Sequence, residues 1–114
     1  MRFEGTDALR GEALAAWGRA YHADVHGFLA ALEPSQLDAP VTLPWASRAD
    51  ALISQAPTDP TMAETVMQVA LHSTYHRGQI NARIRELGVD PPLTDFIAWV
   101  WAGKPQPSWP SLAQ

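Results

Sequence analysis

His72-Ser73-Thr74-Tyr75-His76-Arg77-Gly78-Gln79 is the stretch that decides how this chain folds. Helical periodicity surrounds it from residue 61 to residue 87, and on a helix positions i and i+4 lie on one face. Both imidazoles are therefore expected to point at the same spot, the spacing by which a helix offers two nitrogen ligands to a transition metal. Alone the spacing is weakly specific, because His-x-x-x-His arises often by chance. The competing reading is a pair of core histidines satisfied by hydrogen bonds.

The punctuation of this segment is clear. Thr61-Met62-Ala63-Glu64 spells a capping box, in which the threonine oxygen and the glutamate three residues on satisfy orphan amides reciprocally. Gly88 supplies the left-handed stop, and Pro91-Pro92 forbid resumption. The expected core stripe is Thr65, Val69, His72, His76, Ile80, Ile84 and Leu87, which turns both histidines inward. Inward polar groups need partners, and a metal ion is one way of supplying them. A glycine at 78 weakens the helix unless another backbone approaches closely, so a tight helix contact is expected there. Gln79 is placed to orient a ligand imidazole, and Arg77 to pair with a carboxylate.

Upstream, a first helix is expected over residues 7–32, capped by Thr6 or Asp7 and ended by Pro34. Leu14, Trp17, Tyr21, Val25, Phe28 and Leu32 form its apolar stripe. His22 and His26 flank that stripe as a second i,i+4 pair. With the two long helices antiparallel and level, His22 stands at the height of His72 and is a candidate third ligand, although a solvated flanking histidine is the commoner situation. Residues 33–60 read as a proline-punctuated connector with Val41-Thr42-Leu43 extended and a helical turn over residues 50–55. Thr94 or Asp95 opens a short final helix through Trp101. Residues 1–102 thus form one helical domain, and 103–114 a proline-rich tail. The five tryptophans are chiefly structural, with Trp99, Trp101 and Trp109 placed to cover a pocket or partner surface.

Bulk composition narrows the function classes. The chain has 114 residues, 46% hydrophobic and 18% charged, which suits one globular domain. A formal charge of −4 without a basic face argues against nucleic-acid binding. There is no cysteine, hence no disulfide, thiolate metal site or cysteine nucleophile. No apolar run approaches the ~18 residues of a membrane span, and residues 1–4 carry no apolar signal region. A soluble, cytoplasmic protein is expected. Ser73 stands where a metalloprotease would carry its glutamate base, and no phosphate-cradling glycine loop or nucleophile elbow is present.

The run from His72 to Ile80, followed by Arg85-Glu86-Leu87-Gly88 and by Pro91-Pro92-Leu93-Thr94-Asp95-Phe96-Ile97, resembles the DinB / YfiT-like family of DNA-damage-inducible, metal-dependent proteins. The likeness is dense over residues 64–101 and weaker over 7–45. It implies an all-α fold, a four-helix bundle whose metal, usually zinc or nickel, is held by three histidines. His72 and His76 match the two fourth-helix ligands. Placed against that family, the chain begins near the third helix, so half a bundle is expected: two long antiparallel helices plus a short C-terminal one. The second-helix histidine has no counterpart in such a half. The resemblance implies a metal-dependent hydrolase or thiol S-transferase connected with stress response, acting on a small molecule whose identity stays open. The alternative is a non-catalytic half-bundle that dimerises and holds metal without turnover. In either case a homodimer is expected, since two helices bury only part of their apolar stripes against each other.

Overall fold

The computed structural model describes residues 8–109. They form four helices: α1 (Gly11–Ala31), α2 (Asp50–Ile53), α3 (Met62–Glu86) and α4 (Phe96–Trp101). Two 3-10 turns, Pro34–Gln36 and Ala46–Ala49, lie in the connector. No strand occurs among the described residues, and the only extended pairing is an isolated antiparallel bridge between Pro40 and Thr61. The all-α reading holds. The chain divides into two units, one containing α1 and the segment from Gly103 onward, the other spanning Glu33–Ala102.

In the first unit, α1 begins at Gly11 and not at residue 7. Arg10 is its N-cap with no side-chain capping bond, and Gly11 has φ +52°. That left-handed residue breaks the helical run, because only glycine enters this region without a steric cost. The expected caps Thr6 and Asp7 lie outside the described residues. Trp17 and Tyr21 stack with ring centroids 5.3 Å apart, and Glu12 and Arg19 form an ion pair two turns apart. Trp109 packs against α1, its ring 3.8 Å from where a Cβ on Gly18 would stand and 5.9 Å from the His22 ring. This tryptophan thus covers part of α1, at a position where glycine leaves room for an indole.

The second unit is built around α3, whose start is fully satisfied. Thr61 Oγ1 accepts from the Glu64 amide at 3.2 Å while Glu64 Oε2 accepts from the Thr61 amide at 2.8 Å. The Met62 and Ala63 amides donate to the carbonyls of Ala39 and Leu37, at 2.8 and 2.9 Å. The connector therefore takes the first-turn donors that a helix cannot satisfy itself. Val41 N–H to the Pro60 carbonyl (2.7 Å) and Thr42 Oγ1 to Asp59 Oδ2 (3.0 Å) complete the seam. At the other end Gly88, at φ +79°, donates to the Arg85 carbonyl and Val89 to that of Ile84. These are the paired bonds of a Schellman stop. Asn81 Nδ2 then donates to the Pro92 carbonyl and to Thr94 Oγ1 (3.3 and 3.1 Å), holding the proline segment back against the helix.

Between these two anchors α3 is open. Of the expected stripe only Thr65 and Ile84 are half-buried; Val69, His72, His76, Ile80 and Leu87 are exposed, and no described residue is fully buried. The connector covers the first turns and the Asn81 bonds tie down the last ones, so the central turns lack cover within their own unit. Within this unit the histidines have no core to point into. Gly78 is a second correction, since a Cβ built there meets nothing within 4 Å. No neighbour within its own unit makes the close contact expected at this glycine, and there only its propensity cost remains. Gly78→Ala should accordingly stabilise the protein by about 1 kcal/mol. Thermal denaturation followed by circular dichroism should show a rise of roughly 4–8 °C. A lower melting temperature would mean that the glycine is required.

Candidate functional site

The uninterrupted hydrogen bonding of α3 sets the register that brings His72 and His76 together. Their Nε2 atoms lie 3.0 Å apart, with ring centroids 4.5 Å apart and ring planes at 90°. Two nitrogen lone pairs repel at that separation, so a proton or another cation must lie between them. The separation also suits a shared metal. With metal–nitrogen bonds of about 2.05 Å, nitrogen ligands stand ~2.9 Å apart at a right angle and ~3.3 Å apart at a tetrahedral one.

His76 is held from behind. Its Nδ1 faces Gln79 Oε1 at 2.8 Å, and Gln79 Nε2 donates to the Tyr75 hydroxyl oxygen at 3.1 Å. The Tyr75 ring stands 5.4 Å from His76 and 6.1 Å from His72, lying nearly parallel to the latter. Gln79 thus contacts the His76 imidazole, and its own support by Tyr75 was not foreseen. The i,i+4 spacing of Tyr75 and Gln79 was the available signal. Arg77 does not find the expected carboxylate; its Nη2 donates to Thr74 Oγ1 at 2.9 Å, one turn back on its own helix.

A cleft of about 620 Å³ opens along the N-terminal half of α3, with Leu43, Trp45, Pro60, Gln68, Val69 and His72 among its walls. That volume lies within the range of small-molecule sites. His72 belongs both to the cleft and to the histidine pair, so the two are continuous. Sequence reading missed this cleft because Leu43 and Trp45 reach α3 only through the seam between the connector and the helix start. Thr65 Oγ1 and Ser73 Oγ donate to the carbonyls of Thr61 and Val69, at 2.8 and 2.6 Å. Their protons are spent on the helix, while the carboxylate of Glu64, the amide of Gln68 and the imidazole of His72 are also among the polar groups lining the space.

His22 and His26 stack at 6.4 Å on α1, and His22 meets Trp109 edge-on. Among the described residues no cluster of three or more His, Asp or Glu side chains is arranged to hold a metal ion. The pair on α3 is two imidazoles, fewer than the three protein ligands typical of a zinc centre.

A long capped helix carrying a convergent histidine pair, among helices joined without strands in the described residues, makes this an all-α protein. The DinB family model matches residues 15–107, and the chain belongs to the DinB family. No curated protein and no solved structure matches it. No helix of the described residues is long and apolar enough to cross a membrane.

Proposed function

We propose that this protein binds a divalent transition metal, zinc or nickel, through Nε2 of His72 and Nε2 of His76. One observation carries the reading: the two atoms stand 3.0 Å apart on one face, a spacing that suits cis ligands of a single ion. Gln79 behind His76 supports it, since ligating imidazoles characteristically engage a partner through their other nitrogen. A metal at this place would polarise a carbonyl or lower the pKa of a water or substrate thiol. The chain's own residues would then present the substrate, with the Leu43, Trp45 and Val69 walls taking an apolar portion and His72 marking the reactive end. The reaction class that follows is metal-dependent hydrolysis or thiol transfer on a small molecule. His76→Ala should abolish stoichiometric zinc or nickel uptake by untagged protein, measured by elemental analysis. Unchanged metal content in that variant would overturn the assignment.

A second reading, a homodimer that completes the bundle, has its own support. Large apolar side chains are exposed on both long helices: Leu14, Tyr21 and Phe28 on α1 at 45–52%, and Val69, Leu71 and Ile80 on α3 at 54–63%. Apolar surface of this extent marks an interaction face. Thr74 is the middle residue of α3, so His72 and His76 lie symmetrically about it. A two-fold axis crossing the helix there sets two histidine pairs at the same level and supplies the ligands one chain lacks. Light scattering coupled to size exclusion should give twice the 12.5 kDa chain mass, with one metal per two chains. A folded monomer at micromolar concentration would exclude the dimer, and one metal per chain would exclude the shared site.

A further inference from the structure

We propose that Gln79, clamped by Tyr75, is a positioning residue that fixes His76 as its Nδ1–H tautomer, so that Nε2 is left as the ligating atom and His72 is the hydrogen-bond donor of the pair. This goes deeper into the metal site proposed above and rests on that reading only for its consequence. The tautomer itself is a property of the metal-free protein.

A primary amide has one end that only donates and one that only accepts. In Gln79 the donating Nε2 is engaged by the Tyr75 oxygen at 3.1 Å, and the accepting Oε1 faces His76 Nδ1 at 2.8 Å. An acceptor facing a ring nitrogen requires a proton on that nitrogen, so the neutral form of the His76 ring carries its one proton on Nδ1. Its Nε2 is then a lone pair. That lone pair stands 3.0 Å from His72 Nε2, and the proton between them must belong to His72. Turning the amide over reverses every role. Gln79 Nε2 would donate into His76 Nδ1, the Tyr75 hydroxyl would donate to Oε1, and the His76 proton would sit on Nε2, blocking the ligand atom. The amide orientation therefore decides whether the pair is ready to bind a cation.

The two rings are not equivalent in this arrangement. His76 is held through Nδ1, whereas among the described residues the hydrogen bond of His72 is the one through Nε2. For both Nε2 atoms to serve as ligands, the His72 proton must leave Nε2 and return at Nδ1 through solvent, with no net gain or loss. The His76 proton stays where it is. His76 is the fixed ligand and His72 the adjustable one, which suits the position of His72 on the wall of the cleft.

Imidazole nitrogens of 15N-labelled, metal-free protein report the tautomer directly through two-bond proton–nitrogen correlations, recorded in mildly alkaline solution where free imidazole is neutral. The wild type should show His76 protonated on Nδ1 and His72 on Nε2. Gln79→Leu, an exposed substitution, should give His76 as a mixture of tautomers with unchanged helicity, and weaken zinc binding about ten- to a hundredfold. Gln79→Glu, which can only accept, should restore the Nδ1–H form. On titration with zinc the wild-type His72 proton should move to Nδ1 while that of His76 stays. A His76 proton on Nε2 in the metal-free wild type would overturn the proposal, as would a Gln79→Leu protein with unaltered tautomer. The Nδ1–H form in a wild type that takes up no zinc would uphold the role of Gln79 and sink the metal reading instead.

Discussion

Everything distinctive in this protein depends on the unbroken register of α3. Two imidazoles meet at 3.0 Å because positions 72 and 76 are separated by one helical turn, and that turn is held by the hydrogen bonds before and after it. A 25-residue helix without a buried face is not stable in isolation. Its ends carry much of the burden here. The Thr61–Glu64 box and the Ala39 and Leu37 carbonyls satisfy the first amides, while the Gly88 turn and the Asn81 bonds close the last turn. Loosening either end would let the helix fray toward its middle, where the histidines stand.

The same architecture explains why the site is open. The connector reaches only as far as the first turns of α3, and the proline segment after Gly88 reaches back only to Asn81. What lies between is a helix surface carrying two histidines, a supporting Gln79–Tyr75 pair and a cleft running up to His72. Cation capture beside the wall of this cleft is the function proposed above for the exposed histidine pair. That pair is poorly suited to being a structural core.

Much of this could be read from the sequence where local chemistry dominates. The capping box at Thr61, the glycine stop at 88 and the short helix after Asp95 fall where the residues indicated, because caps and turns are decided within a few positions. The start of α1 did not, since the positive φ of Gly11 cuts the run that periodicity extended to residue 7. The stripe on α3 stays uncovered within its own unit for a different reason. Apolar spacing predicts which face seeks burial, but whether a neighbour supplies it depends on tertiary contacts that no local pattern encodes. Gly78 is similar, its propensity cost suggesting a contact that its own unit does not supply. The histidine pair was legible from spacing, whereas the role of Tyr75 and the cleft at Trp45 needed side-chain geometry and the connector's path.

The central claim is that both imidazoles of α3 bind one metal ion through Nε2. X-ray absorption spectroscopy of the zinc- or nickel-loaded protein addresses it most directly, because imidazole rings leave a multiple-scattering pattern distinct from that of water or carboxylate. Nitrogen scatterers at about 2.0–2.1 Å, with the amplitude of at least two imidazoles per metal, are the expected result. A first shell of oxygen alone, or of a single imidazole, would contradict the account.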